Sequence, residues 1–172
     1  MNKIKLVPIS EDHIIAMKEE MQEAFQHGFL SYYKDEANQW QVLPDEDFYR
    51  SLNAKGAETY EAIGAEGKRV GGAIITVDNK THQGELAFLY VKVGVQSKGI
   101  GQSIWKAIET LHPEIEVWET CTPYFDRRNI HFYINRCGFH AVEFFNEHHP
   151  DPNMPEQFDQ NDGLFKFEKR MK

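Results

Sequence analysis

Two glycines at alternate positions, with an apolar run before them and a helical pattern after, mark the segment best suited to chemistry. It reads Leu89-Tyr90-Val91-Lys92-Val93-Gly94-Val95-Gln96-Ser97-Lys98-Gly99-Ile100-Gly101. Gly99 and Gly101 let the backbone pass close to a ligand and turn several N–H groups the same way. The helix that follows adds the positive end of its dipole, and Lys98 adds a full charge. Together they suit a pyrophosphate. A dinucleotide fingerprint would need a third glycine where Ile104 stands, and no Gly-Lys-Ser/Thr follows to make a P-loop. Taken alone, the same residues also fit an ordinary glycine turn between a strand and a helix.

Other chemistry-bearing residues carry weaker patterns. His148 and His149 with Asp151 invite a metal reading, but adjacent histidines point apart in an extended chain and no third ligand has helical spacing. A polar loop without metal is expected. Cys121 and Cys137 show no Cys-x-x-Cys spacing and sit in apolar-aromatic surroundings, so they read as core thiols rather than a disulfide or a nucleophile.

The elements that must position these residues follow from periodicity. Strands are expected at Lys3–Ile9, Glu58–Gly64, Arg69–Val77, Glu85–Val93, Glu116–Thr120, Phe139–Phe145 and Leu164–Lys169. A first helix starts after Ser10 and ends at Gly28; a second runs from Pro44 to about Ala54. A third spans about Gly99 to Leu111, and a fourth Asn129 to Cys137, closed by Gly138. The order implies one α/β domain over residues 1–172, a mixed sheet of about seven strands with helices on both faces.

Composition bounds the function. The chain has 172 residues, 41% hydrophobic and 27% charged, as a folded domain requires. A net charge of −8 makes it a poor general binder of nucleic acid. It is compatible with a cationic substrate, and equally with an ordinary acidic protein. No stretch approaches a membrane span and the N-terminus does not read as a signal peptide, so a cytoplasmic protein is expected.

From Glu85 to Phe139 the chain resembles the core of the GNAT superfamily of N-acetyltransferases. In that family a buried strand runs into Gln/Arg-x-x-Gly-x-Gly/Ala at a helix start, here Gln96-Ser97-Lys98-Gly99-Ile100-Gly101. An Asn follows about 30 residues on, in a helix ending near Gly-Phe, here Asn129 and Gly138-Phe139. The resemblance implies a fold, a cosubstrate and roles. Acetyl-CoA would supply the acyl group, and an amine-bearing small molecule or protein amine would accept it. The backbone of Val91 and Val93 would pair with the pantetheine arm, Gln96 to Gly101 would hold the pyrophosphate, and Asn129 would meet the pantetheine. Asn129 also suits a helix N-cap. Homodimers are frequent among proteins of this kind.

Acyl transfer needs a base for the amine and an acid for the thiolate. Tyr133 is the candidate acid, although the family's tyrosine stands four residues before the Gly, where this chain has Ile134. That offset is about 100° on an ideal helix, so either the helix end differs by one residue or Tyr133 packs elsewhere. Glu85 is the candidate base, by analogy with the histone-acetylating members, and Glu119 on the next strand is the reserve. Strict alternation would put Glu85 on the face of Ala87, Leu89 and Val91, about 20 Å from Val91. The aromatic segment Phe29 to Trp40 and the acidic loop Glu147 to Asp162 fall where the family builds its acceptor site. The rival readings are a CoA-binding domain that has lost its chemistry, favoured by the offset of Tyr133, and an interaction protein with no ligand.

Overall fold

The computed structural model describes residues 3–30, 41–95, 99–152 and 163–171. Seven strands form one mixed sheet in the order β1-β2-β3-β4-β5-β7-β6. They are β1 (Lys5–Pro8), β2 (Ala57–Ile63), β3 (Arg69–Asp78), β4 (Gln83–Val91), β5 (Val117–Pro123), β6 (His140–Phe145) and β7 (Leu164–Arg170). The helices are α1 (Ile14–Leu30), α2 (Asp45–Leu52), α3 (Ile100–Leu111) and α4 (Arg127–His131). A π turn, Phe132–Arg136, continues α4. Helix α1 runs through Gly28, which does not end it as its residue type suggests. None of the helices described is long and apolar enough to cross a membrane.

Each face of the sheet has its own apolar layer. On one face α3 and the α4 region lay Ile100, Ile104, Trp105, Tyr133 and Cys137 over Leu86, Trp118, Phe139 and Phe167. On the other, Met17 and Met21 of α1 and Phe48 of α2 cover Ile74 and Tyr90. Trp118 fills the space above Gly84, where an added Cβ would stand 2.5 Å from the indole.

A bulge in β4 decides which residue faces which layer. Ile74 pairs with Phe88 and Ile75 with Leu86, so Ala87 is the extra residue. Alternation is therefore reversed beyond it. Leu89 and Val91 join the α3 layer with Leu86, whereas Ala87 and Phe88 pack in the α1 layer. Glu85, on the face opposite Leu86, thus shares its face with Phe88 and Tyr90, not with Leu89 and Val91. The strict alternation expected of this strand fails by one residue.

The parallel pair β4–β5 is short. It holds only Gln83↔Val117, Gly84↔Trp118 and Glu85↔Glu119. Beyond that rung β4 follows β3 as far as Val91, while β5 follows β7 as far as Pro123. The sheet opens there as a fork.

Candidate active site

The apex of the fork is closed by a side chain. Thr120 Oγ1 donates to the Leu86 carbonyl at 2.9 Å, taking the acceptor that a further β4–β5 rung would have used. Along the open edge, backbone direction follows from one bond. Lys92 N donates to Val70 O at 2.8 Å, so the Val91 amide, one residue earlier, faces the fork. Lys92 to Val95 then makes a tight turn, closed by Val95 N to Lys92 O at 3.2 Å, with Gly94 at φ +90° in its third position. Val93 sits inside that turn rather than on the strand.

Helix α3 begins next. Gly99 is its N-cap with φ +87°, a left-handed conformation that favours glycine. Gly101 is required for a different reason. A Cβ there would lie 3.1 Å from two ring carbons of Phe132, so its small size lets the π turn pack against α3. Gln96, Ser97 and Lys98 lie outside the described residues. Beside the loop a cleft of about 570 Å³ is lined by Lys3, Glu66, Lys68, Lys92, Val93 and Ile100.

Tyr133 approaches the apex from the α3 face. It is 6% exposed, with its ring against Phe132, Phe139 and Phe167. Its hydroxyl lies beside Thr120. Burial first, then the neighbouring Cys137 and Asp126, raise its pKa well above that of free tyrosine, so the phenol stays protonated. The π turn explains how it arrives there. Cys137 N bonds Phe132 O, five residues back, at 3.0 Å, so this turn holds one residue more than an α-helical one. The extra residue absorbs the one-position offset of Tyr133, and Ile134 is left 37% exposed.

Asn129 is not the helix cap. Asp126 is, accepting from the Asn129 amide at 3.1 Å, while Asn129 Nδ2 donates to the other Asp126 oxygen at 2.8 Å. Burial raises the Asp126 pKa against these bonds.

Glu85 and Glu119 face each other across the last rung, on the α1 side. Glu85 reaches solvent, yet desolvation by the surrounding chain and then the charge of Glu119 raise its pKa. Cys121 lies on the same face of β5, exposed and beside Glu85, not in the core as its surroundings in sequence suggest. Its sulfur is hemmed in. That desolvation and the negative charge of Glu85 push the thiol up to about 12, which removes it as a nucleophile at neutral pH. Cys137 is buried, as expected.

The profile of the Acetyltransferase (GNAT) family matches residues 14–139, nearly three-quarters of the chain. The chain belongs to this family. Its acetyltransferase relatives frame the geometry. An uncharacterized Bacillus subtilis (strain 168) protein, YrkN, is 39% identical over 177 residues, covering 99% of this chain and 95% of that one. A Bacillus subtilis acetyltransferase in complex with CoA has the same fold, with TM-score 0.66, 18% identity and full coverage of both chains. So does the ribosomal-protein-S18-alanine N-acetyltransferase of Escherichia coli, with TM-score 0.68 and 14% identity over 99% of this chain and 94% of that one. A spermidine N-acetyltransferase from Vibrio cholerae, in complex with CoA and spermine, aligns with TM-score 0.66 and 11% identity over 97% and 95%.

Within this GNAT fold the structure gathers Val91, Glu85, Glu119 and Tyr133 around one fork, with Gly99, Ile100 and Gly101 opening the helix after it. Most of the aromatic segment Phe29 to Trp40 and of the loop Glu147 to Asp162 lies outside the described residues. His148 and His149 pair with different carboxylates, Glu147 at 3.3 Å and Glu143 at 2.8 Å. Among the described residues no three His, Cys, Asp or Glu side chains converge as metal ligands would. Three site residues escape a reading of the sequence: Thr120, Asp126 and Lys166. The spacing Asp126-x-x-Asn129 is a legible capping signal. Nothing in the order of residues brings Lys166 to Glu119, because that contact depends on the pairing of β5 with β7.

Proposed function

We propose that this chain is an N-acetyltransferase that moves an acetyl group from acetyl-CoA to a primary amine by direct attack in a ternary complex. The observation that carries the reading is the fork between β4 and β5, with the phenol of Tyr133 toward its apex on one face and the carboxylates of Glu85 and Glu119 on the other. Acetyl-CoA supplies the activated acyl group. The open edge at Val91, with Val93 beyond it, offers backbone groups to an extended pantetheine. The amides at Gly99, Ile100 and Gly101, with the preceding Gln96, Ser97 and Lys98, suit its pyrophosphate. Asn129, held by Asp126, keeps its amide oxygen for the same arm. Glu85 takes a proton from the amine on the α1 side, with Glu119 in reserve, and Tyr133 gives one to the departing thiolate on the α3 side. The raised thiol of Cys121 favours direct attack over a covalent route. The alternative, a non-catalytic CoA-binding or sensor domain of the same fold, predicts CoA binding without turnover of any amine.

The deciding experiment is a thiol-release assay with acetyl-CoA and an amine panel. The panel contains spermidine, an amino sugar, a lysine peptide and an N-terminal alanine peptide, two of which follow from what the similar enzymes act on. Turnover with none of them, together with no heat of CoA binding, sinks the reading.

Gly99→Val is expected to weaken CoA binding by roughly tenfold or more, because a branched residue resists φ +87° and displaces the amides that open α3. Calorimetry reads the affinity and a melting curve checks the fold; unchanged affinity removes the loop from the cofactor site. Gly101→Val is the poorer probe, since it also strikes Phe132.

Glu85→Gln is expected to lower kcat/KM by about tenfold, an effect limited because water can relay the proton. The sign of its pH dependence follows from the raised pKa of Glu85. Below that pKa the wild-type carboxyl is itself protonated, so the two enzymes converge. Above the amine's own pKa no base is needed, and they converge again. A difference uniform across pH in a pH–rate profile excludes Glu85 as the base.

A further inference from the structure

The two carboxylates at the fork are not equivalent. Glu85 and Glu119 are register partners on one face, and like charges so placed are not both ionised without cost. Lys166 of β7 bonds only one of them. Its Nζ lies 3.5 Å from Glu119 Oε1, and its register partners are Cys121 on β5 and Glu143 on β6.

Among the described residues the other groups facing this point are Asp151 beyond β6, whose charge acts on Glu85, and Glu143, which accepts from His149 Nε2 at 2.8 Å. Glu168, opposite Glu119, is tied to Arg170 at 3.0 Å. Among the described residues Lys166 is therefore the cation that the carboxylates of β4, β5 and β6 share. Although desolvation works against its charge, Glu119 outweighs it and keeps the ammonium protonated above its ordinary range.

We infer that Lys166 is a positioning residue that divides the pair, tying the Glu119 carboxylate to β7 and leaving Glu85 as the carboxylate that exchanges a proton with the acceptor amine. This rests on the acyl-transfer reading above. It adds a reason why Glu85, and not the equally placed Glu119, is the base. Lys166 acts through charge, so its role is visible in titration rather than in folding alone.

The test is a carbon-13 titration of the glutamate side chains in the free protein, with Glu85 assigned by Glu85→Gln, for wild type, Lys166→Met and Lys166→Arg. Lys166→Met is expected to move the Glu85 midpoint upward, and Lys166→Arg to restore it. Glu119→Gln is expected to move it downward. An unmoved midpoint in Lys166→Met, or one that Lys166→Arg fails to restore, overturns the inference.

The kinetic arm uses acetyl-CoA and the amine of the panel with the highest turnover. In Lys166→Met the acid limb of kcat/KM should follow the Glu85 midpoint, with a fall of roughly three- to tenfold at pH 6 and less than about twofold at pH 9. A midpoint that moves while the acid limb stays removes Glu85 as the proton acceptor. Calorimetry with CoA is run alongside. Absence of CoA binding would fell the acyl-transfer reading itself, while the titration still decides whether Lys166 divides the pair.

Discussion

Tyr133→Phe is expected to lower kcat by roughly 10- to 1,000-fold with little change in the KM for acetyl-CoA, the signature of a group that acts in the transition state. The substitution removes one oxygen from a ring held by Phe132, Phe139 and Phe167, so the packing that places it survives. The buried hydroxyl lies beside Thr120, which bonds Leu86, and its loss should cost only about 1 kcal/mol of stability. Steady-state kinetics together with a melting curve separate the two effects. A folded variant with near-normal kcat returns Tyr133 to the core as a packing residue and strips the fork of its acid.

Arg69→Met is expected to destabilise the fold by about 3 kcal/mol, since Glu20 and Glu61 lose their shared guanidinium and keep the weaker ionic partners Lys92 at 3.7 Å and His13 at 3.0 Å. Arg69 Nε and one terminal nitrogen donate to the two oxygens of Glu20 on α1, each at 2.9 Å, and its other terminal nitrogen reaches Glu61 on β2. Their side chains are 15%, 16% and 6% exposed, so solvent screens little of this. Tyr90 adds a hydrogen bond to Glu20 at 2.8 Å, which fixes α1 over β4.

In a domain of this size the loss corresponds to a fall in Tm of roughly 10 °C. Its pH dependence has a definite sign. Burial would raise the pKa of Glu20, but the hydrogen bonds from Arg69 and Tyr90 prevail and lower it. Glu20 therefore stabilises the wild type above the ordinary glutamate range, and that contribution fades as pH falls through the lowered pKa. Without Arg69 the same burial favours the protonated acid, so the deficit of Arg69→Met should shrink in acid. Calorimetric melting at pH 4 and pH 7 checks this; a deficit that grows in acid contradicts the assignment.

Much of the architecture is legible in the order of residues. The near-continuous apolar run Leu86 to Val91 belongs to a strand covered on both faces, which the structure has as β4 between two helical layers. Pro44 followed by Asp45, Glu46 and Asp47 marks the start of α2, and there the helix begins. Gly99 is placed at the mouth of α3 by its type alone, because few residues other than glycine accept its φ. Local rules read these features because local backbone energy determines them.

The site was decided by two single-residue insertions and one strand pairing. The extra residue at Ala87 reverses the facing of β4, so Glu85 stands across the sheet from Val91 and Tyr133 instead of beside Val91. An extra residue in the π turn rotates Tyr133 back onto Thr120, where an unbroken α-helix would have turned it about 100° away. Neither insertion leaves a mark in composition or period, since a bulge costs little locally and is selected by what its neighbours bury: Ile74 and Phe88 on one side, Phe139 and Phe167 on the other. The pairing of β5 with β7, two strands separated by 40 residues of chain, brings Lys166 to Glu119 and Cys121 to the open face. The sequence by itself thus determined most of the elements and the glycine at the mouth of α3, whose energetics are local. Only the tertiary structure decided which face each reactive group serves, because that choice is made by packing between segments far apart in the chain.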